Sequence, residues 1–125
     1  MCKMVALNTN YGGTIEVADI KKMNIESIIR AAQYCAYIDA IILFGSAVTD
    51  KCSAESDIDI AVLVECDRQD TLKFKDGLVA LSAELDLENM VVVNFVCLPY
   101  QEFNEKKKYY PFYANIEKEG KVIYG

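Results

Sequence analysis

The segment from Phe44 to Val64 constrains this chain most. It reads Phe-Gly-Ser-Ala-Val-Thr-Asp-Lys-Cys-Ser-Ala-Glu-Ser-Asp-Ile-Asp-Ile-Ala-Val-Leu-Val. An apolar run, Ile38 to Phe44, ends at Gly45-Ser46. A second apolar run begins at Ile58, and two aspartates, Asp57 and Asp59, frame its start. On a strand, residues two apart share a face. Asp57 and Asp59 are therefore expected on one face, roughly 6.6 Å apart along the strand. Ile58, Ile60, Val62 and Val64 then take the other face. Two carboxylates beside a Gly-Ser turn suit a metal-bound phosphate. Glycine permits close backbone approach to a ligand, and a hydroxyl with open N–H groups at a helix start can hold phosphate oxygens.

The remaining pattern predicts an α/β or α+β fold, a small mixed β-sheet covered by helices. Met4 to Leu7 is read as a short strand, Tyr11-Gly12-Gly13 as a turn, and Thr14 to Val17 as strand or loop. Asn24 is expected to cap a helix over about 24–37, with Ile25, Ile28, Ile29, Ala32 and Cys35 on one face. Strands follow at Ile38–Phe44 and Ile58–Val64. A helical turn and loop fill the stretch between them. Leu72, Phe74, Leu78, Leu81 and Leu85 predict a helix over about 71–86. Met90 to Leu98 is a β-branched strand that Pro99 stops. Gln101–Lys108 reads as a short helix, and Pro111 opens another that Gly120 caps. Val122–Tyr124 reads as an edge strand. No linker divides residues 1–125, so one domain is expected.

Composition narrows the chemistry. The net charge is −6, a poor footprint for general nucleic-acid binding. Lys106-Lys107-Lys108 reads as a solvated helix end. The chain has no histidine, which excludes Ser-His-Asp hydrolysis, a histidine general base and His-ligated zinc. A metal held here is expected to be a hard cation on oxygen ligands, Mg²⁺ or Mn²⁺. The five cysteines show no CxxC spacing, with Cys35 and Cys97 expected in the core. No apolar run approaches the roughly 20 residues of a membrane span, and no secretory signal is visible. A cytoplasmic location is expected.

Phe44-Gly45-Ser46 and Ser56-Asp57-Ile58-Asp59-Ile60, with Ser46 and Asp57 eleven positions apart, resemble the minimal nucleotidyltransferases of the DNA polymerase beta superfamily. Residues 116–124 resemble the usual ending of these domains, so the likeness covers about residues 24–124. It implies Asp57 and Asp59 as catalytic metal ligands and Gly45, Ser46 and Ser56 at the nucleotide. It further implies transfer of AMP from ATP, or another NTP, onto an acceptor, most plausibly a protein. Minimal members often pair with a helical HEPN protein as antitoxins, so a HEPN-type partner is an implied expectation. A homo-oligomer is compatible with it.

Two departures stand out. The family's third carboxylate corresponds to Asn94 within Val93-Asn94-Phe95, a degenerate third metal position that supplies a neutral oxygen and no charge. Glu88 is a substitute only in another register. The arginines that many members carry after the serine are replaced by Ala47, Val48, Thr49 and Asp50, with Lys51 the nearby cation. This is either a lost contribution to triphosphate binding or a set of plain surface positions. Three readings follow: an active nucleotidyltransferase; a degenerate binding module that neutralises a HEPN-type partner by occlusion; or an α/β domain whose two aspartates are surface charge. The aromatics Tyr100, Phe103, Tyr109, Tyr110, Phe112 and Tyr113 are read as core packing or as an exposed docking patch.

Overall fold

The computed structural model describes residues 3–9, 13–32, 38–49, 52–53, 56–65 and 92–124. The expected helix over 71–86, the end of the first helix over 33–37, Tyr11, Gly12, Cys35, Asp50, Lys51 and Glu88 lie outside the described residues.

The sheet grows from the β-branched runs. Ile38–Phe44 (β3) and Ile58–Val64 (β4) are strands with the bounds the sequence suggests. Val93–Pro99 (β5) lies within the expected third strand and ends on the proline that stops it; Met90 and Val91, where that strand was expected to begin, lie outside the described residues. Lys121–Tyr124 (β6) is the expected edge strand. The four lie in the order β5-β4-β3-β6. β3 runs antiparallel to β4 and β6, and β4 runs parallel to β5. Met4–Asn8 (β1) and Thr14–Ala18 (β2) form a separate antiparallel hairpin. Thr9 closes it, donating its N–H to the Gly13 carbonyl at 2.8 Å.

Period-two alternation divides the core between the two sheet faces. On one face Ile41, Leu43, Ile58, Ile60, Val62, Val64, Val93 and Ile123 pack with the hairpin residues Leu7 and Val17. Helix α1, Lys22–Ala32, completes this layer with Ile25, Ile28 and Ile29. Asn24 is the third residue of α1 and not its cap. A 3₁₀ turn, Asp19–Lys21, runs directly into the helix, so the chain enters at Ala18 and no side chain caps the turn.

On the opposite face Ile42, Ala61, Leu63 and Leu98 pack with Phe103 and Ile116. These last two come from α2, Tyr100–Lys106, and α3, Pro111–Glu119. Lys107 of the basic cluster ties the helices together through Glu117 at 3.2 Å. The aromatic segment splits between the two expectations. Phe103 is buried and Tyr113 packs against the core, while Tyr100, Tyr109, Tyr110 and Phe112 are exposed.

Gly120 ends α3, but its backbone is extended (φ −73°) and not left-handed. Packing is what requires glycine. A Cβ there would collide with the Ile116 carbonyl oxygen and with the Ile42 Cγ2 methyl. Gly120→Ala is therefore expected to lower stability by about 1–3 kcal/mol, the usual cost of overpacking. Urea unfolding checks this, and a change under about 0.5 kcal/mol would contradict the packing argument.

Candidate active site

The site sits where β3 and β4 meet at one end of the sheet. β3 ends at Phe44, which pairs with Asp59 across the antiparallel ladder. The chain then turns into a 3₁₀ segment, Gly45–Val48. Gly45 takes φ +78°, in the left-handed region where a Cβ is costly. A Cβ at Gly45 would also strike the Asp59 Oδ2 oxygen. Glycine is thus required twice over, by its backbone angle and by the carboxylate lying against its Cα. Thr49 secures the turn, donating its N–H and its hydroxyl to the Ser46 carbonyl at 3.0 and 3.1 Å.

Asp57 and Asp59 face the same side, as the alternation requires. Asn94 shows this directly. Its Nδ2 donates to Asp57 Oδ2 at 3.0 Å and to Asp59 Oδ1 at 3.2 Å. The parallel register places Asn94 opposite Asp59, so it stands at the position expected for the third carboxylate. Asp57 and Asn94 are exposed and Asp59 is half-buried. Residues separated by 35 and 37 positions in the chain therefore converge on one point.

Ser56 lies one step away from this convergence. Its Oγ accepts the Ser53 N–H at 2.9 Å and lies 3.1 Å from the Ser53 hydroxyl. These bonds order the approach to Asp57. Ser46 sits at the start of the 3₁₀ turn, half-buried.

Ala47 and Val48 are not surface positions. Both are buried in the core, because the short turn folds back against β2 and β4. The place where many minimal nucleotidyltransferases carry arginine is here used for apolar packing.

The donor set fits a hard divalent cation. Two carboxylate oxygens point at a single spot now occupied by an amide N–H₂ group, and carboxylate and amide oxygens are what Mg²⁺ and Mn²⁺ take. Rotation of the Asn94 amide exchanges its N–H₂ for its oxygen. Among the described residues no three His, Cys, Asp or Glu side chains gather into a metal-binding cluster, and Asp57 and Asp59 are the carboxylates that Asn94 joins.

A sequence profile described as "Polymerase beta, Nucleotidyltransferase" matches residues 26–125. The chain is also 34% identical over 93 residues to a Methanocaldococcus jannaschii protein named "Putative protein adenylyltransferase". That match covers 74% of this chain and 85% of the relative. With the mixed sheet, the Gly45 turn and the paired aspartates in place, the chain belongs to the polymerase beta nucleotidyltransferase family.

Proposed function

We propose that this protein transfers AMP from ATP onto a hydroxyl of a protein acceptor, with Mg²⁺ or Mn²⁺ held by Asp57 and Asp59. The observation that carries this reading is the convergence at Gly45. The Gly-Ser turn and the two aspartates are one construction, since the Asp59 carboxylate rests on the Gly45 backbone. The protein acceptor is supported by the name of the archaeal relative and by the net charge of −6, which disfavours nucleic-acid acceptors.

The chemistry at phosphorus needs positioning and charge neutralisation more than a side-chain nucleophile. A divalent ion would supply the neutralising charge on the triphosphate. Asp57 and Asp59 would hold it, and Asn94 would add a neutral oxygen. Gly45 makes room for the Asp59 carboxylate at the turn, and Ser46 would offer its hydroxyl and N–H to phosphate oxygens. The acceptor oxygen bonds to the α-phosphorus, the bond to the β-phosphate oxygen breaks, and pyrophosphate leaves. Asn94 cannot take the hydroxyl proton, so that proton goes to an aspartate carboxylate or to water.

A second reading rests on Asn94 itself. Its amide already donates to one oxygen of each carboxylate, and no arginine stands among residues 47–51. A protein with this site can keep the fold, lose turnover, and neutralise a HEPN-type helical partner by covering it. Neutralisation that survives loss of both aspartates would select this reading.

Two outcomes test the proposal. Asp57→Asn is expected to reduce pyrophosphate release from MgATP, with acceptor present, by about 100-fold or more. Equal rates in wild type and variant would remove the two-aspartate mechanism. Asn94→Asp is expected to tighten Mn²⁺ binding at least about tenfold in calorimetry, because a unit charge about 4 Å away is worth several kcal/mol even at intermediate dielectric. The same substitution should lower stability without metal, since it replaces a donor with a third negative charge. Unchanged Mn²⁺ affinity would mean that Asn94 does not face the ion.

A further inference from the structure

A cavity of about 370 Å³, lined by Leu98, Lys106, Tyr110, Phe112 and Tyr113, lies on the sheet face that carries the aspartates. The alternation of β5 places Asn94, Val96 and Leu98 on that face. Asn94 bonds the two aspartates, while Val96 and Leu98 join the core layer under α2 and α3. From Asn94 to Leu98 is four residues, about 13 Å along the strand. An extended nucleoside triphosphate covers such a distance.

The cavity wall is aromatic and open to the outside. Phe112 is 51% exposed and Tyr110 47%. The Phe112 ring meets the Phe44 ring edge-on, 6.3 Å between centroids, and Phe44 is both the neighbour of Gly45 and the ladder partner of Asp59. One continuous aromatic path thus joins the turn at Gly45 to the cavity. Tyr113 supports the wall from behind, 5.9 Å from Phe112 and 6.1 Å from Tyr110. Lys106 forms a cationic edge, bonded to Glu102 at 2.6 Å and 5.4 Å from the Tyr110 ring centre.

The geometry points to this cavity as the nucleobase subsite, with the base stacked on Phe112 and Tyr110 while the phosphates lie at Gly45, Ser46 and the aspartates. The inference rests on the nucleotidyltransferase reading above and adds the residues that recognise the base. A concave, aromatic-lined space of this volume is typical of small-ligand sites. Flat rings stack on any nucleobase, so the site favours nucleotides over inorganic polyphosphate more than it separates one base from another.

The test compares MgATP with magnesium tripolyphosphate as calorimetric probes of the wild-type chain, Phe112→Leu and Tyr110→Leu. Leucine keeps apolar bulk against Phe44 and removes the flat ring. Two positions are used so that one poorly folded variant, revealed by its thermal melt, does not decide the matter. Wild type is expected to bind MgATP at least about tenfold more tightly than tripolyphosphate, as base stacking on an aromatic ring allows. Either variant should lose about tenfold for MgATP and stay within about twofold for tripolyphosphate.

Equal wild-type affinity for the two probes overturns the subsite. So does unchanged MgATP affinity in both variants, even if they lose capture of a protein partner, which would make the aromatic wall a docking face. In these cases tripolyphosphate binding that depends on Asp57 still upholds the nucleotidyltransferase reading. If neither probe binds wild type, that reading fails as well.

Discussion

The contact between the Asp59 carboxylate and the Gly45 backbone organises everything else at this site. It depends on the antiparallel pairing of β3 and β4, which sets Phe44 opposite Asp59. It depends equally on a positive φ at Gly45, which turns the chain into the 3₁₀ segment without carrying a Cβ into the carboxylate. A sheet edge alone would leave two aspartates loosely hydrated. Here one oxygen of Asp59 lies against the Gly45 backbone and the other accepts from Asn94. Asp57 is drawn to the same amide. A polar cluster whose partners come from the start of β4, from β5 and from the Gly45 turn is held together by the sheet register itself.

The apolar layers explain how a short chain holds this arrangement. β4 is buried on both faces along most of its length, so its register against β3 and β5 is strongly specified. A slip of one residue would carry Asp59 into the hairpin and α1 layer and expose Ile58 or Ile60. The same register aligns Asn94 with Asp59. The cost of misplacing a carboxylate in the core therefore enforces the alignment of the polar cluster.

Much of this was legible in the sequence, for definite physical reasons. β3 and β4 are mostly apolar runs, each broken by one aspartate, with sharp ends at Gly45 and Asp57, so their bounds read directly. Period-two alternation put Asp57 and Asp59 on one face, and the family resemblance, not the periodicity, pointed to Asn94, whose amide meets both. Other features depend on tertiary contact and could not be read locally. Asn24 resembles a cap, yet the preceding 3₁₀ turn makes one unnecessary. Gly120 reads as a C-terminal cap and is one, donating its N–H to the Ile116 carbonyl, but the need for glycine comes from the Ile116 carbonyl and the Ile42 methyl, which only the folded chain brings there. At Ala47 and Val48 the sequence leaves open a lost triphosphate contact or plain surface positions, and the fold of the turn, which buries both, excludes the second. In the aromatic segment around Pro111, no periodicity separates Phe103, which is buried, from Phe112, which is not. Ser56 read as a nucleotide contact, and its hydroxyl is engaged within its own loop by Ser53.

The central claim is that Asp57 and Asp59 form a working cation and nucleotide site although an asparagine occupies the third position. Calorimetric titration of ATP, with and without Mg²⁺, against the wild-type chain and the Asp57→Asn/Asp59→Asn variant tests it most directly. The wild type is expected to bind ATP only with Mg²⁺, and the double variant, equally folded, is expected not to bind it. ATP binding of the same strength in both chains, or none in the wild type at saturating Mg²⁺, would contradict it.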